Sequence, residues 1–390
     1  MSDIVIVGAK RTAIGSMLGQ FTGVPTPTLG AAAIQAAIEQ AGVAPADVSE
    51  VIMGCVLPAN LGQAPARQAS LAAGLPKSTG CTTINKVCGS GMKAIMLAHD
   101  LIKAGSAEIV VAGGMESMTN APHMVSARGG LRYGDAKLVD HMAWDGLTNP
   151  YDGQAMGVFA EATADKYGFT REAQDAYAIE SVRRAQAAIT SGAFAAEIVP
   201  VKVATRKGEI EVATDEQPGK SDPAKIPTLK PAFRKDGTVT AASSSSISDG
   251  AAATVIMSAE AATRGGLKPL ARIVGHTTLS QAPEWFTTAP VGAIDALLKK
   301  VGWKVDDVDL FEVNEAFAVV AMAPMKDLGI SHDKLNVNGG ATALGHPIGA
   351  SGARLVVTLL HALIARGGKR GVASLCIGGG EATAIAIERI

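Results

Sequence analysis

A cysteine at the entry to a predicted helix is the residue of this sequence best suited to nucleophilic chemistry. Cys88 stands in Asn85-Lys-Val-Cys-Gly-Ser-Gly91, directly before an apolar helical stretch. Free N–H groups at a helix N-terminus lower the pKa of a thiol, and the missing side chain of Gly89 is expected to leave room for a substrate. Cys88 is therefore a candidate nucleophile. The alternative is a small buried residue at a strand–helix turn, since cysteine is among the most buried residue types.

Three further segments combine reactive side chains with turns or glycines. Asn314 follows an apolar strand, and His346 lies in a turn between a glycine and a proline, whereas His99 and His361 are expected to be ordinary core histidines. Cys376 leaves a buried strand into three glycines, whose N–H groups are free to bind an oxyanion. These segments predict a site built from thiols, an imidazole and backbone donors.

The cysteines give no sign of a metal centre or of disulfides. The four thiols, at positions 55, 81, 88 and 376, show neither Cys-x-x-Cys spacing nor paired clusters. A chain of this size needs no disulfide to hold a core. We expect free thiols and no metal ligands.

Composition excludes several classes of function. The chain has 390 residues, of which 47% are hydrophobic and 18% charged, with a formal net charge of −1. Such a chain is globular and large enough for two or three packed units, and it has no basic tract for nucleic acid. The first residues have no basic region or cleavage site, and no stretch reaches the roughly 18 apolar residues of a membrane span. We expect a cytoplasmic protein without a membrane partner.

The chain repeats itself at a spacing of about 260 residues. Three pairs of segments match in the same order along the sequence: 42–48 with 302–308, 90–93 with 351–354, and 109–116 with 374–381. Ordered matches of this kind predict two homologous halves.

Each half reads as helices alternating with apolar strands, which predicts an α/β protein with a largely parallel sheet covered on both faces. In the first half Thr28 is expected to cap a helix that ends near Gly42. Between the halves a long helix, Arg171–Ser191, capped by Thr170 and stopped by Gly192, precedes a charged stretch with several prolines. We expect three ranges: an N-terminal half 1–118, an inserted domain 119–248 over the active site, and a C-terminal half 249–390 packed with the first as one body.

Taken together, these segments resemble the thiolase family from the first strand to the C-terminus. The resemblance rests on five motifs in family order: Val87-Cys-Gly-Ser-Gly91, Gly113-Gly-Met-Glu-Ser-Met118, Asn314-Glu-Ala-Phe-Ala318, Gly345-His-Pro-Ile-Gly-Ala-Ser-Gly-Ala-Arg354 and Cys376-Ile-Gly-Gly-Gly380. It implies duplicated βαβαβ halves in a five-layered αβαβα body, an inserted loop domain that binds coenzyme A, and a homodimer or a homotetramer built as a dimer of dimers.

The resemblance also implies roles for individual residues. Cys88 is then the nucleophile, His346 its base, and Cys376 the base that removes an α-proton from the second acyl-CoA. One oxyanion site is expected at His346 with a water held by Asn314, and the other at the backbone N–H groups of Cys88 and Gly378. Coenzyme A is a co-substrate, and neither a metal nor a redox cofactor is expected.

Further residues are expected at coenzyme A or in the acyl pocket by likeness to the family. Ser245 keeps the hydroxyl expected against pantetheine, and Lys220 lies near the place of an arginine that meets the phosphates. Ala155 stands where biosynthetic members usually carry histidine, which leaves the chain-length preference open. The remaining expected lining residues, each also compatible with an ordinary core position, are Leu147, Met156, Phe233, Ala241, Phe286, Ala316 and Phe317.

The implied reaction is the condensation of two acetyl-CoA to acetoacetyl-CoA and coenzyme A, with the reverse thiolysis, through an acyl group on Cys88. A 3-ketoacyl-CoA thiolase of fatty-acid β-oxidation with a broader chain length is the near alternative. A carrier-protein ketosynthase typically lacks the second cysteine, so Cys376 argues against it. A lipid- or coenzyme A-binding protein without activity has no reason to keep all four reactive groups in glycine-rich settings.

Overall fold

The computed structural model describes residues 2–390, and its first part alternates strands and helices as predicted. The elements are β1 (Ile4–Thr12), β2 (Gly15–Ser16), α1 (Thr26–Ala41), β3 (Glu50–Gly54), α2 (Pro65–Ala72), β4 (Gly80–Ile84), α3 (Ser90–Lys103) and β5 (Ile109–Ser117). Pro25 and Pro27 start α1, and Gly42 ends it with φ of 68°. The prediction that Thr28 caps this helix was wrong, because proline in the first turn needs no N–H partner and lets the helix begin earlier.

The middle of the chain is made of shorter elements around one long helix. They are β6 (His123–Met124), β7 (Val139–Asp140), a π-helical turn (Met142–Leu147), α4 (Met156–Tyr167), α5 (Arg171–Ser191), β8 (Ile198–Val199), β9 (Val201–Thr205), β10 (Gly208–Val212), α6 (Glu216–Lys220) and a 3₁₀ turn (Pro223–Thr228). α5 has the predicted bounds: the Thr170 hydroxyl accepts from the N–H of Ala173, and Gly192 ends the helix at φ of 74°.

The last part repeats the alternation of the first. Its elements are β11 (Ser248–Ser258), α7 (Ala259–Arg264), β12 (Ala271–Ser280), α8 (Ala289–Val301), β13 (Leu310–Val313), α9 (Ala318–Leu328), α10 (Ala341–Leu344), α11 (Ile348–Arg366), β14 (Arg370–Ile377) and β15 (Glu381–Arg389), with 3₁₀ turns at Pro283–Thr288, Val305–Asp307 and His332–Lys334. α11 is the one helix of the described residues long and apolar enough to cross a membrane, but 89% of its apolar window is buried inside the protein. It is a core helix.

The central sheet is mixed, so the prediction of a largely parallel sheet was wrong. Its order is β13-β14-β15-β12-β1-β11-β5-β3-β4. Only the β13–β14, β3–β5 and β3–β4 pairs on this path are parallel. In the C-terminal half the reason is local: a short glycine turn joins β14 to β15, and a tight hairpin forces antiparallel pairing. In the N-terminal half the corresponding pair, β5 and β11, is also antiparallel although its strands are far apart in the chain.

Apart from the edge strand β4, the two halves of the sheet have the same strand order when read inward, β3-β5-β11-β1 and β13-β14-β15-β12. β1 and β12 meet at the centre, and each carries a register shift at the same place, between Ile6 and Gly8 and between Ile273 and Gly275. These shared irregularities are what a duplicated unit predicts. The third sequence match was wrong by four residues. β3 pairs Glu50 with Val110, and β13 pairs Leu310 with Gly371, so residues 109–116 correspond to 370–377.

Helices separate and cover the two halves of the sheet in five layers. α1 and α2 pack on the outer face of the N-terminal half, and α8 and α9 pack on the outer face of the C-terminal half. α3 and α11 lie between the halves, in an apolar cluster that includes Ile6 and Val110 from one half and Leu375 and Ile385 from the other. The arrangement is therefore the predicted αβαβα body.

The two central helices cross at a pair of glycines that the repeat relates. A Cβ on Gly91 would press on the backbone of Ala353, and one on Gly352 would press on the backbone of Met92. Only glycine permits this close approach. Because the crossing lies near the start of both helices, the turns that precede α3 and α11 come together.

The place of β11 differs from the predicted division of the chain. β11, which the range 249–390 assigns to the C-terminal half, pairs with β1 and β5 of the N-terminal half. It occupies the position that β15 occupies in the other half. The N-terminal unit therefore includes residues beyond 248, while the inserted range 119–248 stays a prediction.

Candidate active site

The turn before α3 holds Cys88 in a strained elbow. Val87, a β-branched residue, has a φ of 47°. This left-handed conformation costs on the order of 1–3 kcal/mol and persists only where surrounding contacts enforce it. Three hydrogen bonds do so: the Val87 N–H donates to Asn85 Oδ1 (2.8 Å), the Lys86 N–H donates to Ser90 Oγ (2.8 Å), and the Ser90 hydroxyl donates to the Val87 carbonyl (2.6 Å). The elbow fixes the direction of the Cys88 side chain.

Gly89 does not make room for a substrate, contrary to the expectation from the sequence. A Cβ at this position would overlap the side chain of Ile377, which follows Cys376 at the end of β14. The glycine instead lets the nucleophile turn pack against the strand that carries the second cysteine. The absence of a side chain at Gly89 therefore allows the two halves to pack together at this point.

The expectation of a lowered Cys88 pKa was also wrong. Burial raises the pKa of the Cys88 thiol to about 11, although the backbone N–H groups of Gly378 and of Cys88 itself, which face the sulfur, lower it. Removal from water outweighs these two donors. Cys88 is thus a neutral thiol at neutral pH and needs a base. The two N–H groups are nevertheless those expected to hold an oxyanion.

His346 is held in the turn that precedes α11. Its backbone N–H donates to Ser248 Oγ (3.1 Å), and its ring Nδ1 lies 2.6 Å from Ser351 Oγ. Because the Ser351 hydroxyl donates to the Pro347 carbonyl (2.9 Å), its oxygen is left to accept from an Nδ1–H, and the lone pair of the imidazole falls on Nε2. Burial, aided by the charge of Arg354, lowers the pKa of His346 to about 3.

Asn314 lies beside the free nitrogen of His346. Its backbone N–H donates to the Ser374 carbonyl (3.0 Å), which ties the end of β13 to β14. Its Nδ2 is 3.5 Å from His346 Nε2, and its buried Oδ1 has no hydrogen-bond partner among the described residues. A buried polar atom of this kind suits a water or a substrate oxygen. Asn314 can therefore hold the water of the first predicted oxyanion site, and His346 can donate to an oxyanion there once Nε2 has taken up a proton.

Cys376 is fully buried next to Cys88, the predicted nucleophile. It belongs to an apolar cluster with Phe286 and Phe317. Burial, and then the nearness of Cys88, raise the pKa of the Cys376 thiol well above its usual range. The chain then turns at Gly379 and Gly380, with φ of 95° and 90°, conformations that favour glycine. The turn leaves the Gly378 N–H pointing at the Cys88 sulfur.

These groups surround a cavity of about 300 Å³. Ten of the fourteen predicted site residues line it: Cys88, His346, Gly378, Ser245, Leu147, Met156, Phe233, Phe286, Ala316 and Phe317. Asn314 and Cys376 lie directly behind this surface, through their contacts with His346 and Cys88. Residues from the middle of the chain, the C-terminal half and the nucleophile elbow thus form one pocket.

Two predicted residues do not reach this cavity. Ala241 is exposed and is not part of its lining. Lys220, half-exposed at the end of α6, pairs with Glu216 at 2.5 Å and is also outside the lining. Any contact of Lys220 with coenzyme A would therefore lie outside the cavity.

Ala155, which the sequence singled out for chain-length preference, also lines the cavity. Several other lining residues were not predicted, although most lie next to predicted ones: Gly157 follows Met156, Ser244 and Ser246 flank Ser245, and Met118 ends one of the five motifs. The remaining missed residues are Val87, Gly146, Ile247 and Ile348.

A buried carboxylate that the sequence did not single out joins the walls of the site. Glu116 accepts N–H groups from Val56 (2.9 Å) and Leu57 (3.1 Å) after β3, and from Gly349 (2.9 Å) in the first turn of α11. Burial raises the pKa of Glu116 to about 7 in spite of these donors. The glutamate therefore positions the start of the helix that follows His346.

Comparison with known proteins agrees with this geometry. The chain matches the family models described as thiolase, N-terminal domain, over residues 4–260, and thiolase, C-terminal domain, over residues 267–389. It is 52% identical to the acetyl-CoA acetyltransferase of Chromobacterium violaceum over 99% of this chain and 100% of that protein. It is also 52% identical to the acetyl-CoA acetyltransferase of Cupriavidus necator over the full length of both. The chain belongs to the thiolase family.

Solved structures show the same fold. A crystal structure of the acetyl-CoA acetyltransferase of Bacillus anthracis superposes with a TM-score of 0.97 at 42% identity, covering 100% of this chain and 99% of the other. A thiolase from Ascaris suum, crystallised in complex with coenzyme A, gives a TM-score of 0.94 at 45% identity over the whole of both chains. The predicted fold class is confirmed.

Proposed function

We propose that this thiolase condenses two acetyl-CoA to acetoacetyl-CoA and coenzyme A, and catalyses the reverse thiolysis, through an acetyl group on Cys88. The observation that carries the proposal is the set of groups around the Cys88 sulfur. The Cys88 thiol faces two backbone N–H groups and shares its cavity with a neutral imidazole, while a second thiol lies directly behind it. Curated relatives about half identical over the whole chain are named acetyl-CoA acetyltransferases.

In the first half-reaction His346 Nε2 accepts the Cys88 proton while the sulfur attacks the thioester carbon. The two pKa values, about 11 and about 3, make this transfer between resting side chains costly, on the order of 10 kcal/mol. The transfer must therefore accompany attack, when the N–H groups of Cys88 and Gly378 receive the oxyanion. His346 returns the proton to the departing coenzyme A thiolate.

In the second half-reaction Cys376 gives its thiol proton to His346 Nε2, and the resulting thiolate accepts a proton from the methyl carbon of the second acetyl-CoA. The enolate oxygen that develops is stabilised by the Nε2–H of His346 and a water on Asn314, and the carbanion attacks the acetyl carbon on Cys88. The released Cys88 thiolate recovers a proton from His346. Two acetyl-CoA thus give one acetoacetyl-CoA and one coenzyme A with no proton gained or lost, and the steps need no metal or redox cofactor.

The acyl pocket favours a short chain. Phe233 packs face against the backbone of Gly157, where a Cβ would overlap its ring, and it meets Phe317 edge to face at 5.9 Å. Phe286 meets Phe159 at 6.3 Å in the same apolar cluster as Cys376. Aromatic rings packed this closely leave little freedom for a long acyl chain. The broader-chain thiolase of β-oxidation, and with it a role in fatty-acid metabolism, remains the alternative proposal.

Thiolysis of 3-ketoacyl-CoA substrates of increasing length tests the choice. The expected result is a kcat/KM highest for acetoacetyl-CoA and lower for every longer chain. A kcat/KM that rises with chain length would favour the broader-chain enzyme. Unchanged turnover in the presence of a chelator is expected for all substrates, and a loss of turnover would contradict the metal-free mechanism.

We also propose a cytoplasmic homotetramer, a dimer of dimers. β4 pairs only with β3 along the sheet and is partly exposed, which suits pairing with a second copy. Leu131, Tyr133, Leu138 and Trp144 expose apolar surface on the inserted segment, which suits a further contact. Light scattering on the purified protein should give four chains per particle, and cell fractionation should place the protein in the cytoplasm.

A further inference from the structure

One histidine that the sequence assigned to the core takes part in a polar cluster remote from the cavity. His99 and Asp100 lie on α3, and His276 lies on β12. His99 Nδ1 is 2.9 Å from Asp100 Oδ1, His276 Nε2 is 3.0 Å from the same oxygen, and the two nitrogens are 3.3 Å apart. Among residues 2–390 this is the only group of three such side chains whose donor atoms converge.

The three separations match those of atoms bound to a common ion. Bonds of about 2.1 Å place two ligand atoms about 3.0 Å apart at 90° and about 3.4 Å apart at the tetrahedral angle. The observed values, 2.9, 3.0 and 3.3 Å, fall on this range. The two imidazole rings stand edge to face, with planes at 87°, and the three ligand atoms all lie within 4.8 Å of one another. Two imidazoles and one carboxylate form a donor set for borderline divalent transition metals.

The surroundings set the strength and access of such a site. The histidine side chains are mostly buried, 15% and 12% exposed, whereas Asp100 is 53% exposed and leaves the remaining coordination positions open to water. Lys300 donates to the His276 carbonyl (2.9 Å), and its charge opposes a cation. With a single carboxylate and a nearby lysine, binding should be weaker than at a closed zinc site with four protein ligands.

We propose that His99, Asp100 and His276 bind one divalent transition-metal ion of the zinc class. The ion would join the N-terminal half, through α3, to the C-terminal half, through β12. The site begins about 15 Å along α3 from the nucleophile elbow, so the metal stabilises the body and takes no part in catalysis. The proposal is independent of the proposed acetyl transfer.

Co²⁺ titration of the purified protein tests the site, because its spectrum reports the ligand type. The expected result is one Co²⁺ per chain with visible ligand-field bands and without the charge-transfer absorption of a cobalt–thiolate bond, which binding at Cys88 or Cys376 would produce. Zn²⁺ should displace the Co²⁺ and raise Tm by a few degrees. His276→Gln and Asp100→Asn should each weaken Co²⁺ binding at least about tenfold.

A matched variant separates this site from incidental binding by histidine. His123, exposed on β6, belongs to no such cluster. His123→Gln should bind Co²⁺ as the unchanged protein does, and all three variants should keep acetoacetyl-CoA thiolysis. Binding that persists in His276→Gln, a thiolate spectrum, or no stoichiometric binding at all would overturn the proposal and leave the cluster a hydrogen-bonded group only.

Discussion

Replacing Ser351 by alanine should impair His346 as a base, although Ser351 does not line the substrate cavity. Ser351 lies in the first turns of α11, is almost fully buried, and accepts the Nδ1–H of His346 at 2.6 Å. This bond keeps the imidazole in the tautomer with a free Nε2. Without the hydroxyl, Nδ1–H is buried with no partner, or the proton moves to Nε2 and the base is lost.

The magnitude follows from the cost of that unpaired group. A buried donor left without an acceptor costs about 1–3 kcal/mol, and about 1.4 kcal/mol corresponds to a factor of ten in rate. We therefore expect kcat to fall about 5- to 100-fold, because the orientation and tautomer of His346 matter only when the proton moves. KM for coenzyme A should change little, since Ser351 is not part of the cavity lining.

The assay is acetyl-CoA condensation together with the rate of acetyl-enzyme formation, both of which should fall by the same factor. Thr254→Ala is the matched control, because its buried hydroxyl donates to the Ala112 carbonyl (2.9 Å) far from His346. The control should lose stability by a similar amount and keep kcat. Full activity in Ser351→Ala would refute the assignment of Nε2 as the base.

Three further results are expected. His346 should cause no inflection in the rate of acetyl transfer near pH 6.5, because its pKa is about 3 and the base stays neutral as the pH falls. A decline at 6.5 that persists in Glu116→Gln, which lacks the carboxyl group with a pKa of about 7, would contradict this. Lys220→Ala should raise KM for coenzyme A by no more than about fivefold, because an exposed ion pair contributes about 1 kcal/mol or less. The rise in KM should vanish at high salt. A larger rise that is insensitive to salt would place the lysine in a buried contact. Lys86 pairs with Glu381 and so ties the turn that contains Cys88 to the start of β15. Lys86→Glu should lower kcat severalfold, and the double variant Lys86→Glu with Glu381→Lys should recover part of the lost kcat. No recovery in the double variant would mean that the pair does not position the turn.

The sequence predicted the site better than the sheet. Cys88, His346 and Cys376 are reactive residues beside glycines, and Asn314 is a polar residue at the end of an apolar strand. These are local signals that need no knowledge of packing. The sheet was misjudged because β11 and β15 are apolar on both faces, as parallel strands are, although they pair antiparallel. Direction depends on the connections, and periodicity does not reveal these.

The errors within the site have one physical cause, which is burial. The environment of Cys88 suggested a lowered pKa, but no local pattern shows that the thiol is removed from water. Gly89 suggested an open space, whereas Ile377, 288 residues later, fills it. The motif that contains Glu116 does not reveal its role, because the three N–H partners of this carboxylate lie in segments distant in the chain. Such contacts arise only when the two halves meet.

The central claim is that the two thiols serve different half-reactions, and Cys376→Ala tests it most directly. Acetyl-enzyme formation is measured by mass spectrometry after acetyl-CoA alone, and condensation is measured by product release on the same preparation. Cys376→Ala should still carry one acetyl group on Cys88, while condensation falls roughly 10²- to 10⁴-fold. Cys88→Ala should lose both activities. Condensation by Cys376→Ala at near the unchanged rate, or an acetyl group found on Cys376 in the unchanged protein, would contradict the account.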